Sequence, residues 1–322
     1  MKKNNRNLAA VDVGTNSFHL IVAKIKSDGN FKIIDRQREV IRLGEGSDDI
    51  KIIKPEKMKR AVSVLKQFKE IADSHKAPLR AVATSAVRES SNRNEFIKKV
   101  FEETGIEIEV ISGDEEARLI YLGALKSVHL FNKKTLVIDI GGGSTEFFIG
   151  KKGKTKFSAS LKLGAVRFTQ KFFMKDQLTD DAIKACRQWI RLELNDVARA
   201  AREIGFDIGV GTSGTIMSTG WMIEANRKGK PSPFKNLNNY EFTKEEFDII
   251  CREVLSRKTI EERKKIPGCD EKRADIIPAG IIILDEIFNA FELDRMTISA
   301  YALREGIIVD TNTEFLIRQL AD

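Results

Sequence analysis

The segment 134-KTLVIDIGGGSTEFFIGK-151 decides the architecture. A β-branched apolar run ends in Asp139. Three glycines and Ser144 follow, then Thr145, Glu146 and a second apolar run. Glycine-rich turns that bind phosphate usually open a helix. Here the residues beyond the turn read as another strand, so the pattern predicts a β-hairpin with an acidic strand end. The same pattern occurs once before. Setting Asp12 on Asp139 aligns 10-AVDVGTNSFHLIV-22 with 137-VIDIGGGSTEFFI-149, with Asp, Gly and Ser coinciding and apolar positions matching on both sides. An internal repeat of this kind predicts two domains built alike. The second copy carries Glu146 where the first has His19, so the halves are not chemically equivalent.

Working outward, strands are expected at 8–13, 17–25 and 31–43, followed by a helix opened by Pro55 with apolar residues at steps of three and four. A strand at 79–84, a helix over 91–104, a strand at 106–111 and a helix over 112–125 complete the first α/β layer. After the second hairpin come a strand at 155–163, helices over 164–174 and 179–204, and a strand at 207–212. Helices near 213–227, 243–256 and 274–291, a strand at 295–301 and a helix at 303–320 finish the chain. The expected domains are 1–127 and 128–301, with about 302–322 packing back on the first.

The chain has 322 residues, 42% of them hydrophobic, and a net charge of +8. That length suits two domains, and the charge suits an anionic partner. No basic run is interleaved with aromatic residues, so nucleic-acid binding is not indicated. Cys186, Cys251 and Cys269 form no CxxC pair, which argues against zinc or a disulfide framework. His19, His75 and His129 show no ligand spacing. The longest apolar stretch, 276-IIPAGIIIL-284, is too short to span a bilayer. A cytoplasmic protein is expected, with no membrane partner.

A glycine turn can aim consecutive N–H groups into one concavity that binds phosphate oxygens. Glycine allows positive φ and close approach there. A carboxylate beside bound phosphate is repulsive unless a divalent cation lies between them, which is the usual Mg²⁺ arrangement. Asp12 and Asp139 would stand at such positions. A third turn, 209-GVGTSGT-215, follows a strand and opens a helix. In 112-SGDEEARL-119, Ser112 and Glu115 have capping-box spacing, while Glu116 is rotated about 100° away and is available as a proton acceptor. In 84-TSAVRESSNR-93, Arg88 follows a strand, where ligand contacts gather in α/β proteins.

Together these stretches resemble the exopolyphosphatase / guanosine pentaphosphate phosphohydrolase (Ppx/GppA) family. The segments that carry the resemblance are AAVDVGTNSFHLIVA, ATSAVRES, ISGDEEARLIYLGA, LVIDIGGGSTEFFIG, LKLGAVRFTQKFF, GVGTSGTI, RADIIPAGIIIL and SAYALREGII. The resemblance implies a duplicated ribonuclease-H-like (actin- and hexokinase-like) α/β fold, with two domains flanking a cleft. It implies release of orthophosphate from the end of inorganic polyphosphate, or of the 5′ γ-phosphate of pppGpp, a substrate of the stringent response. By it, Glu116 activates water, Arg88 faces substrate, and Asp139 and Glu146 hold Mg²⁺ or Mn²⁺, with Asp12 a further metal-side carboxylate through water. Gly14, Thr15, Asn16 and Ser17, with Gly141, Gly142, Gly143 and Ser144, match the phosphate loops. Gly211, Thr212, Ser213 and Gly214 of the third turn are expected to bind substrate phosphate as well. The resemblance is to the short, two-domain form, and it implies a homodimer. Two other readings share these features: an ATP-dependent kinase of the same superfamily, and a non-catalytic sensor of polyphosphate or (p)ppGpp.

Overall fold

The computed structural model describes residues 6–45, 49, 51–128, 130–173, 178–230 and 236–321. His129, and residue 174 at the end of an expected helix, lie outside them. The chain divides into two compact units, Met1–Gly123 with Leu303–Asp322, and Ala124–Ala302. In the first, strands β1 (Asn7–Val13), β2 (Ser17–Ile25) and β3 (Phe31–Val40) form an antiparallel meander. Helix α1 (Pro55–Ser74) leads to β4 (Leu79–Ala83), which pairs parallel with β1. The short α2 (Ser85–Arg88) and α3 (Arg93–Thr104) lead to β5 (Ile108–Val110), parallel with β4, and then to α4 (Gly113–Ser127). The sheet order is β3-β2-β1-β4-β5.

Alternation along β1 explains how this sheet is covered. Ala9, Val11 and Val13 join one core with Val62, Leu65 and Phe68 of α1 and Phe96 and Val100 of α3. Leu8 and Ala10, on the other face, are buried too.

The second unit repeats the plan. Strands β6 (Thr135–Ile140), β7 (Thr145–Lys151) and β8 (Lys154–Leu161) form the meander. Helices α5 (Ala165–Phe172) and α6 (Asp180–Ile204) precede β9 (Ile208–Thr212), which pairs parallel with β6. Then come α7 (Ser213–Lys228), β10 (Glu241–Thr243), α8 (Lys244–Ser256), α9 (Ile260–Lys264), α10 (Ile277–Ala290) and β11 (Arg295–Ile298). The sheet order is β10-β11-β9-β6-β7-β8. Helix α11 (Leu303–Ala321) lies against β1 and β2 of the first unit. Both sheets thus share a meander with parallel strands added beyond its first strand. That is the duplicated ribonuclease-H-like fold of actin-like ATPases.

Helix α10 is nearly all apolar and buried, yet it carries Asp285 and Glu286. Arg187 and Arg191 of α6 and Lys244 of α8 neutralise them; Arg187 Nη1 lies 2.6 Å from Glu286 Oε1. Buried carboxylates persist only when paired in this way.

Some local expectations are corrected. The third strand ends at Val40 rather than 43, because Ile41, Arg42 and Leu43 turn their N–H groups onto the carbonyls of Asn16 and Thr15. Only half of the capping box at α4 forms. Ser112 Oγ accepts from the Glu115 N–H at 3.2 Å, but both Glu115 oxygens are taken by Arg118. The helices α2 and α9 and the strand β10 are each five residues or fewer, too short to show a period in the sequence.

Candidate active site

In the first unit the expected site residues gather where β1, β4 and β5 end. Val13 pairs with Ala83, and Ala83 with Val110. Asp12 sits one residue before the end of β1, opposite His19 of β2; Gly14–Asn16 form the turn between the strands, and Ser17 opens β2. The carbonyls of Thr15 and Asn16 accept from Leu43, Ile41 and Arg42 at 2.8–3.1 Å. Arg42 takes φ +54° to do so, a left-handed conformation that costs a non-glycine residue of order 1 kcal/mol. Asn16 is 5% exposed, and neither its amide oxygen nor its amide nitrogen has a hydrogen-bond partner. An orphaned buried amide costs about 1–3 kcal/mol, so this side chain is poised for a polar ligand.

At the ends of β4 and β5 stand Arg88 and Glu116. Arg88 follows β4 in α2, and Glu116 lies in the first turn of α4. Arg88 Nη1 donates to Glu116 Oε2 at 2.9 Å and to the Ile111 carbonyl at 3.1 Å. Glu116 is buried. Burial pushes its carboxyl above the ordinary range, while the charge and hydrogen bond of Arg88 oppose that shift without cancelling it. Arg88 thus forms an ion pair with Glu116.

In the second unit a row of residues crosses the sheet at one level. Thr212 pairs with Asp139, Asp139 with Glu146, and Glu146 with Ser160. Cross-strand partners share a face, so the two buried carboxylates point the same way. Ser160 Oγ donates to Glu146 Oε1 at 2.8 Å. The glycine turn that follows β6 is held by its carbonyls. Ala165 donates to Gly141, Val166 to Gly142, and Arg167 Nε to Gly143, at 2.8–3.0 Å. The Gly141 N–H closes the turn on the Ser144 carbonyl at 2.9 Å, which leaves the turn's other N–H groups for a ligand. Ser213 Oγ donates to the Ile140 carbonyl at 2.7 Å, which ties the third turn to the end of β6.

No glycine of the three turns adopts positive φ, and Gly14 and Gly141 act by close approach. A Cβ on Gly14 would lie 2.9 Å from the Ser17 carbonyl oxygen, and one on Gly141 would lie 3.1 Å from that of Ser144. Gly211 lies inside β9 and is filled over by Met296 and Ile216, so its place is one of packing. The space a Cβ of Gly214 would take is occupied by the Arg273 guanidinium. Sequence reading assigned no role to Arg273, Ser160, Gly164, Arg167 or Arg304. Four of these stand in quoted segments (LKLGAVRFTQKFF, RADIIPAGIIIL and SAYALREGII), but nothing in their spacing singles them out.

The donor set suits a hard divalent cation. Like charges set directly opposite on adjacent strands repel, and two carboxylates completed by phosphate and water oxygens are the common Mg²⁺ arrangement. Among the described residues no cluster of three or more His, Cys, Asp or Glu side chains forms. An ion here would draw the rest of its shell from substrate and solvent.

The duplicated fold carries a glycine turn and a strand-end carboxylate in each unit. The chain belongs to the Ppx/GppA phosphatase family, whose model matches residues 21–315. It is 34% identical over 320 residues to the bifunctional 3-dehydroquinate synthase/phosphatase of Fusobacterium nucleatum, covering 96% of this chain but only 47% of that protein. It is 31% identical to a Haemophilus influenzae protein provisionally named an exopolyphosphatase, over 99% of this chain and 94% of that one. Among solved structures, a Cytophaga hutchinsonii exopolyphosphatase superposes with a TM-score of 0.88 at 29% identity, covering 96% of this chain and 98% of the other. The Aquifex aeolicus Ppx/GppA family member superposes at 0.79 and 30%, with the same coverage. No helix among the described residues is long and apolar enough to cross a membrane.

Proposed function

We propose that this protein releases orthophosphate from the end of inorganic polyphosphate, and that the 5′ γ-phosphate of pppGpp is a second substrate of the same chemistry. The observation that carries this reading is Glu116: a buried carboxylate with a raised pKa, held at one oxygen by an arginine. Such a group accepts a proton near neutrality better than an exposed glutamate. It takes the proton of the attacking water as the oxygen–phosphorus bond forms and the terminal anhydride bond breaks. In the first unit the turn after β1 and the Asn16 amide donate to phosphate oxygens; in the second unit backbone N–H groups of the Gly141–Ser144 turn do so. Arg88 forks between Glu116 and the phosphoryl group. Positioning and charge stabilisation supply most of the catalysis of such transfers.

Asp139 and Glu146 would hold Mg²⁺ or Mn²⁺, with Asp12 acting through water. When bound, that ion supplies neutralisation of the phosphoryl charge. The Ser17 hydroxyl lies 2.8 Å from His19 Nε2, but the Arg304 guanidinium at Nδ1 makes that nitrogen the acceptor and leaves Nε2 a donor, so His19 is not placed as a base for a covalent route. The three cysteines are buried in the second unit with thiols raised to about 11–12 by burial. Direct attack by water is therefore the mechanism favoured. The test is phosphate release from polyphosphates of defined length and from pppGpp, with Mg²⁺, by wild type and Glu116→Gln. Transfer to an acceptor instead of water would favour a kinase, and binding without release would favour a sensor.

A further inference from the structure

The residue opposite Asp12 is His19, whereas the residue opposite Asp139 is Glu146. His19 is engaged at both ring nitrogens. Arg304 Nη1 lies 3.0 Å from Nδ1, and Ser17 Oγ lies 2.8 Å from Nε2. A guanidinium has N–H donors and no acceptor. Nδ1 must therefore accept, which leaves the ring proton on Nε2. Nε2–H then donates to Ser17 Oγ. A hydroxyl that accepts in this way keeps its own hydrogen for a different acceptor. Ser17 is 6% exposed and directly follows Asn16, the residue whose buried amide lacks a partner. Two side chains of one turn thus present unused donors.

The guanidinium is itself fixed. Arg304 is the second residue of α11, with a side chain only 16% exposed, and Nε lies 3.8 Å from the fully buried carboxylate of Glu305. We propose that Arg304 and His19 are positioning residues. Arg304 locks His19 as the neutral Nε2–H tautomer, and His19 turns the Ser17 hydroxyl into a donor for a phosphate oxygen. This deepens the proposed function and rests on Gly14–Ser17 being a phosphate turn. It also gives the last helix a chemical task in the first unit. The two hairpins become specialised: the second carries a carboxylate for a cation, the first a donor relay for the anion.

The tautomer is read directly by long-range ¹H–¹⁵N correlation spectra of the uniformly labelled protein near neutral pH. There are three histidines, and His19 is assigned by the signals lost in His19→Gln. The expected result is the Nε2–H tautomer in wild type, loss of that preference in Arg304→Gln, and its return in Arg304→Lys. An Nδ1–H tautomer or an imidazolium in wild type overturns the proposal. Binding of inorganic tripolyphosphate, measured by calorimetry in a Glu116→Gln background to prevent turnover, gives the second readout. Ser17→Ala and Arg304→Gln should each weaken it about tenfold, the worth of one hydrogen bond to a charged group. The double variant should be no weaker than Ser17→Ala alone, because the residues act in series. Losses that multiply would overturn the relay. Neither readout needs phosphate release, so a chain that hydrolysed nothing would refute the activity while the relay was still decided.

Discussion

Arg88 Nη1 donates to Glu116 Oε2 across 2.9 Å, and the carboxylate it holds is 6% exposed. The two residues are far apart in sequence and meet because β4 and β5 are adjacent parallel strands that end together. The pairing sets the proton affinity of the proposed base, since burial raises it and the arginine restrains it.

Replacing Arg88 by Gln removes the restraint and leaves the burial. The Glu116 pKa should then rise further, and the acid limb of the kcat/KM profile should move to higher pH. The loss of rate should be greater at pH 6 than at pH 8. An acid limb in its wild-type place would separate Arg88 from the ionisation of Glu116.

Glu116 also makes a stability prediction. Its folded-state pKa lies above its unfolded one, so the folded state binds the proton more tightly. Stability is then lost as pH rises from the ordinary carboxylate value, about 4, through the raised folded value. Gln carries no such cost. Glu116→Gln should therefore melt no lower than wild type at pH 8, with any gain disappearing toward pH 4. A variant that melted clearly lower at pH 8 would contradict the raised pKa.

Asp139→Asn and Glu146→Gln should raise the Mg²⁺ concentration for half-maximal phosphate release by more than tenfold. Ser160→Ala, which removes only the hydroxyl on Glu146 Oε1, should raise it by about tenfold or less. Magnesium titrations of phosphate release check this order. Equal Mg²⁺ dependence in all four proteins would remove these carboxylates from the metal site.

Gly164→Ala should disturb the second turn, because a methyl there meets the backbone of Gly142 and Gly143. Overpacking of this kind costs about 1–3 kcal/mol, and kcat/KM should fall with the melting temperature. Gly153→Ala is the control. Its φ of +74° brings strain, but nothing lies within 4 Å of the new methyl, so activity should be retained. Equal activity in both variants would deny the turn its role.

The fold was largely legible because the repeat lies in the strands themselves. Asp12 and Asp139 occupy the same register, each with its hairpin partner seven residues on, and the sheets grow from those hairpins in the same order. Glu116 is singled out in the sequence as a candidate because it is the acid left over beside a capping position. The partners of the site residues were not legible. Arg88 finds Glu116 28 positions away, His19 finds Arg304 285 positions away, and Ser160 finds Glu146 across a strand pair. Such contacts are created by topology, and no local spacing encodes them. What the glycines make room for was not legible either, for a related reason. Their neighbours in space, such as Arg273 against Gly214, decide that close approach is needed, while sequence shows only that a side chain is missing.

The most direct test of the central claim is phosphate release from tripolyphosphate by Glu116→Gln, with binding of the same compound measured alongside. The account predicts a loss of at least about 10²-fold in release, with binding near that of wild type. Turnover within a few-fold of wild type would contradict it.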